Sequence, residues 1–140
     1  MFETVVLALD GSPLSELAIP VATDLARQAG GRIVVVHVDE RTVAKGDMPP
    51  VHPDEAELID KVKKQVEAIA ADGVEASLEL DSVVAGGPAS KIADIAAGAE
   101  ADAIVIASRG ESALRGMLLG SVAHKLLHVS PCPVLVIPAR

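Results

Sequence analysis

The 140-residue chain has no Trp, no Tyr, one Phe and one Cys. A single cysteine closes no disulfide within the chain, so the fold has to hold by burial, and an unpaired thiol fits a reducing compartment. Without Trp and Tyr there is no platform on which the bases of a nucleic acid would stack. Positive charge is scarce too: 12 Lys and Arg stand against 20 Asp and Glu, a formal charge of −8. Affinity for a polyanion rests on a basic face, so nucleic acid is not an expected partner. No apolar run approaches the roughly 18 residues of a membrane span, and Met1-Phe2-Glu3-Thr4 has no basic leader followed by an apolar stretch. The expected location is the cytoplasm, with no membrane partner.

What is present is apolar: hydrophobic residues make up 50% of the chain. A chain of this length buries about two-thirds of its unfolded surface around one core, and a single domain over residues 1–140 is expected. Short β-branched runs alternate with longer stretches of helical period, the pattern of βαβ units around a parallel sheet. Five strands are expected, at residues 4–9, 32–38, about 74–84, 103–107 and 134–137, with four helices. In the first helix Ser12 can cap, Pro13 suits the first turn, and Leu14, Leu17, Ala18, Val21 and Leu25 form one stripe. Gly30-Gly31 stops it, and Pro20 inside it predicts a kink. The second helix opens near Asp54 with a capping-box variant, Asp54 and Glu57, and carries Ile59, Val62, Val66 and Ile69 inward. The intervening residues 39–53 hold three prolines and read as a long loop, of the kind that often covers a binding site.

Four of the strands are nearly continuous apolar runs, as in a sheet covered on both faces. The third alternates Glu75, Ser77, Glu79 and Asp81 with Ala76, Leu78 and Leu80, which predicts an edge strand guarded by carboxylates. The uncharged Pro133-Val134-Leu135-Val136-Ile137-Pro138 would be an open edge if it lies at the other side, and suggests dimerisation there.

Open α/β sheets bind ligands beyond the carboxyl ends of their strands, where the strand order reverses. After the first strand comes Leu9-Asp10-Gly11-Ser12, which fits neither the dinucleotide fingerprint nor the phosphate loop. Asp10 can accept from ribose hydroxyls or hold a metal through water; alternatively Asp10 and Ser12 organise the turn and cap the helix. After the fourth strand, residues 107–122 hold Gly110, Gly116 and Gly120 together with Ser108, Arg109, Ser112, Arg115 and Ser121. Gly120-Ser121 opens the last helix, whose free N–H groups and Ser121 hydroxyl would make an anion site. Charge agrees. Residues 107–140 carry four basic side chains and one acidic, a net +3, whereas the first 106 residues carry eight basic and nineteen acidic, a net −11.

Taken together, Val5-Val6-Leu7-Ala8-Leu9-Asp10-Gly11-Ser12, Val84-Ala85-Gly86-Gly87-Pro88-Ala89, Leu119-Gly120-Ser121-Val122 and Pro131-Cys132-Pro133-Val134-Leu135-Val136 resemble the universal stress protein family over essentially the whole chain. Nucleotide-binding members carry G-x2-G-x9-G-[ST]. Gly110 and Gly120-Ser121 match its latter part, and Ala107 stands where the motif has its first glycine. The resemblance implies a Rossmann-like, doubly wound five-stranded parallel sheet of order 3-2-1-4-5 with four helices, and a homodimer through Val134, Leu135, Val136 and Ile137. It also implies ATP, with or without Mg, at the switch point. Asp10 would approach the ribose or a metal-bound water, the backbone around Val38 would meet the adenine edge, and Gly110, Gly120, Ser121 and Val122 would meet the phosphates, with Arg109 adding charge and Ala8 and Ala107 also lining the implied site.

Other chemistry is thinly represented. His124 and His128 are four apart but lack further ligands in sequence, so they read as surface histidines. His37, in a buried strand, reads as a hydrogen-bonded interior histidine, and Cys132 as a small buried hydrophobe. Glu111 and Ser112 pair with no base. Two classes compete: a nucleotide-binding regulatory module whose loops at residues 39–53 and 108–119 differ between ATP-bound and empty states, and an enzyme that hydrolyses or transfers the γ-phosphoryl group. The chain has no phosphate-loop lysine and no evident base, which favours the module. A third reading, a dimeric scaffold without a ligand, rests on Ala107.

Overall fold

The computed structural model describes residues 1–39, 53–82, 87–109 and 119–138. Five parallel strands, β1 (Thr4–Ala8), β2 (Arg32–Asp39), β3 (Glu75–Ser82), β4 (Ala103–Ala107) and β5 (Val134–Ile137), form one sheet of order β3-β2-β1-β4-β5. Four helices connect them: α1 (Ile19–Ala29), α2 (Pro53–Ala71), α3 (Gly87–Gly98) and α4 (Ser121–Val129). The expected order, strand number and edge position of β3 all hold. The loops expected at residues 39–53 and 108–119 lie mostly outside the described residues.

Strand alternation sorts the core into two layers. Val5, Leu7, Ile33, Val35 and Val105 face one way, with Ala22 of α1 and Val62 of α2 in the same cluster. Val6, Val34, Val36, Ile104 and Ile106 face the other way, with Ile92 of α3 and Leu126 of α4. Successive residues of the central strands are therefore buried on both faces, which is why β1, β2 and β4 read as unbroken apolar runs.

The first helical region departs from expectation in two respects. Pro20 does not kink a continuous helix. It is the second residue of α1, and a separate 3-10 turn covers Ser15–Ala18. A proline ring costs little in a first turn, where its missing N–H would have no intrahelical partner. The buried stripe is also rotated from the expected one: Ala18, Ala22 and Ala26 are fully buried at four-residue spacing, while Leu17 is 41% exposed. Small side chains let α1 lie close on the sheet, which outweighs the larger area that Leu17 would bury.

The two edges differ. On β3, Ala76 and Leu78 pack against the core while Glu75, Ser77 and Glu79 face solvent, but the alternation breaks at Leu80, which is exposed. Asp81 is paired with Lys91 of α3 at 3.4 Å. On β5 every residue is apolar, yet none is fully buried and Leu135 is exposed.

The amino ends of the strands are tied by backbone contacts. Asp102 Oδ2 accepts from the N–H groups of Glu3 and Thr4, both at 3.0 Å, and the Asp102 N–H donates to the Thr4 carbonyl at 2.8 Å. As expected, α1 stops at Gly30, which has φ 64°. The next residue, Gly31, presses so closely on the Glu3 backbone that a Cβ would overlap the Glu3 carbonyl. Gly31→Ala is therefore expected to lower the unfolding free energy by about 2–3 kcal/mol, as overpacking against rigid backbone does. Gly30→Ala, which meets open space, is expected to cost about 1 kcal/mol from the left-handed backbone alone. Urea unfolding of both variants checks the order.

Candidate functional site

The strands part at the switch point. Pairing of β1 with β4 ends at Leu7 with Val105, whereas β1 with β2 runs on to Ala8 with Val36, and β4 with β5 to Ala107 with Ile137. Beyond Leu7 and Val105 the two central strands no longer pair, and the carboxyl ends of β1, β2 and β4 lie together on this side of the sheet.

On the β1 side, the Leu9 N–H donates to the Val36 carbonyl at 3.0 Å, the last bond before the chain turns away. Groups two residues apart on a strand point to the same side, so the Val38 N–H and carbonyl are directed past the end of β1. Asp10, half-buried, accepts from the Ser12 N–H at 2.8 Å. Ser12 is buried, and its hydroxyl accepts from the Ser15 N–H at 3.3 Å. Both residues thus take part in organising the turn. Between them Gly11 has φ 87°, and a Cβ there would lie 2.7 Å from Leu58 Cδ2 of α2. Both the sign of φ and the packing require glycine.

On the β4 side, Ala107 is a strand residue paired with Ile137, and the Ser108 N–H donates to the Ile137 carbonyl at 2.7 Å. Among the described non-glycine residues only Glu100 has a positive φ. The Ala107 backbone therefore needs no glycine. Gly110 lies outside the described residues. Arg109 is half-buried. The chain returns at Gly120, whose N–H donates to the Ser108 carbonyl at 2.6 Å, and this bond holds the start of α4 beside the end of β4. Gly120 is the extended N-cap of α4 and, as a glycine, has no side chain with which to cap it. The first N–H groups of a helix have no intrahelical partner, and α4 has no acidic residue in its first turn to meet them. Ser121 is exposed, and Val122 packs against the core. Such an end is suited to an anion, with Ser121 as an added donor.

One pair escaped the sequence reading. His37, 3% exposed, is an interior histidine as expected: its Nδ1 lies 2.9 Å from the Leu9 carbonyl. Its other nitrogen, Nε2, lies 2.5 Å from Oε1 of Glu55, in the first turn of α2. Acidic residues are ordinary in a first helical turn, so Glu55 gave no sign that it is buried. His124 and His128 are exposed, with ring centroids 5.1 Å apart, and Cys132 is half-buried against the core. Among the described residues no three metal-binding side chains come together. No described helix is long and apolar enough to cross a membrane.

Residues 1–138 match the family model described as the universal stress protein family. The chain belongs to that family. A universal stress protein of Thermus aquaticus is 35% identical over 138 residues, covering 98% of this chain and 99% of that relative. The universal stress protein YxiE of Bacillus subtilis is 31% identical over 147 residues, with 98% and 99% covered. Among solved structures, the universal stress protein of Archaeoglobus fulgidus in complex with dAMP superposes with a TM-score of 0.71 at 27% identity, covering 98% of each chain. A universal stress protein of known structure thus holds an adenine nucleotide on this fold.

Because Ala107 sits in a regular strand, Ala107→Gly is expected to weaken β4 by about 0.5–1 kcal/mol. It is also expected to leave any affinity for an adenine nucleotide within about twofold, under about 0.4 kcal/mol. Thermal unfolding and calorimetric titration of the one variant test both statements.

Proposed function

We propose that this universal stress protein is an ATP-binding regulatory module of the stress response that works as a homodimer. The observation that carries the reading is the amino end of α4, which starts at a glycine with no side chain to cap it and is tied by the Gly120 to Ser108 bond to the end of β4, beyond the last pairing of the central strands. A triphosphate there would meet helix N–H groups, the Ser121 hydroxyl and the net positive charge of the last quarter of the chain. The adenine edge would be read by the Val38 backbone and the ribose would lie by Ala8 and Asp10. With no Trp or Tyr and one Phe, at position 2, the purine would rest on aliphatic groups. The A. fulgidus relative bound to dAMP supports an adenine nucleotide as the ligand class. Ala107, Arg109, Gly110 and Val122 complete the proposed contacts.

Dimerisation is proposed through β5. The Pro133 and Ile137 carbonyls accept from β4, so the backbone groups of Val134 and Val136 are directed to the outer edge. That edge is uncharged, and the exposed Leu135 adds apolar area. Its seating against a second β5 would remove both liabilities.

Gly120→Asp tests the nucleotide site. An Asp at the N-cap is expected to stabilise α4 by a few tenths of a kcal/mol while setting a carboxylate against the phosphates. ATP affinity by calorimetry should fall at least about tenfold, or about 1.4 kcal/mol, while the unfolding midpoint does not fall. Wild-type protein with no ATP binding at millimolar ligand would overturn the reading, and rapid phosphate release would assign the site to an enzyme instead. For the dimer, Val136→Pro removes an outward N–H without breaking the ladder to β4. Wild type should sediment as a dimer at micromolar concentration and the variant as a monomer.

A further inference from the structure

The His37 and Glu55 pair has a defined direction. A carbonyl oxygen only accepts, so Nδ1 carries a hydrogen toward Leu9. Nε2 then faces Glu55 Oε1 at 2.5 Å, a distance at which one proton must lie between the two atoms. The side chains are 3% and 11% exposed, so water does not compete for either bond. The imidazole thereby joins three elements: β2, which carries it, the carboxyl end of β1 through Leu9, and the first turn of α2 through Glu55. One turn further along α2, Leu58 packs on Gly11. The amino end of α2 is thus fastened to the turn after β1 at two points, and Asp10 lies between them in sequence. Val38 follows His37 directly on β2.

A pair of this kind is a poor way to gain stability. Taking an acid and an imidazole out of water offsets most of what they return, and apolar side chains of similar size would hold α2 at least as well. What the polar pair supplies that an apolar one does not is orientation, because both ring nitrogens are committed and the ring plane is fixed. We propose that His37 and Glu55 are positioning residues for the nucleotide site, aligning the turn at residues 9–12 and the Val38 backbone through the bridge from Leu9 to α2. This rests on the nucleotide reading above, and its test separates the two.

Two variants and a control decide it. Glu55→Gln keeps both hydrogen bonds, since the amide N–H donates to Nε2 while Nδ1 still donates to Leu9; ATP affinity should stay within about twofold of wild type. The double variant His37→Leu with Glu55→Leu keeps an apolar contact in place of the pair and gives up the bond to the Leu9 carbonyl, and should remain folded, unfolding cooperatively at a midpoint somewhat below wild type's. Its ATP affinity should nonetheless fall at least about tenfold, and backbone hydrogen exchange at residues 9–12 should quicken. Ile33→Val, at the far end of β2, should lose stability and keep its affinity. Equal affinity in the double variant and wild type would overturn the proposal, as would a Glu55→Gln loss as large as the double variant's. If wild type binds no ATP, the nucleotide reading falls, and exchange at residues 9–12 then decides alone: quickening in the double variant and not in Glu55→Gln supports the bridge, and no difference overturns it.

Discussion

A parallel sheet has to be covered by helices on both faces, and that constraint governs nearly everything else in this chain. Consecutive residues Val5, Val6 and Leu7 of the central strand are all fully buried, because odd and even positions serve opposite layers. No face of the sheet is left for polar chemistry. Polar groups are forced to the strand ends, and at the amino ends of the central strands they are taken up by the Asp102 contacts and the approach of Gly31 to Glu3. At the carboxyl ends the connections of β1 and β4 leave toward opposite faces, and the opening between them follows from topology before any side chain is considered.

Much of this was legible in the sequence because it depends on patterns that solvent exposure imposes directly. β4 and β5 begin and end where the apolar runs do, and the acidic alternation of Glu75, Ser77 and Glu79 marked β3 as an edge. The misreadings came where backbone geometry decides. Pro20 reads as a kink only if the helix is assumed to begin at Ser12, and nothing local tells a 3-10 turn from a first α-turn. The alanine stripe of α1 was hidden by larger neighbours, because hydrophobicity ranks Leu17 above Ala22 while close packing on a sheet ranks them the other way. Glu55 was hidden for a related reason: its burial is caused by His37, eighteen positions earlier and on another element.

The charge distribution has a similar logic. A formal charge of −8 describes the molecule seen from a distance, where it repels polyanions. Residues 107–140 nonetheless carry a net +3, and a small anion at the proposed site would experience the near field of helix N–H groups rather than the far field of the whole surface. A chain can be acidic enough to stay clear of nucleic acid while keeping one place suited to a phosphate.

The bond from Gly120 to Ser108 has a consequence for how such a domain can diversify. It joins the two ends of the connection between β4 and α4 by a backbone contact of 2.6 Å, which makes that connection a ring. Doubling the number of residues in such a ring costs only about 0.6 kcal/mol of closure entropy, and none of that cost falls on the helix behind that contact. The excursion can therefore be lengthened, shortened or rewritten while the helix start stays where it is, much as a fitting is changed on a fixed socket. Novelty in what the domain recognises is cheapest to acquire there.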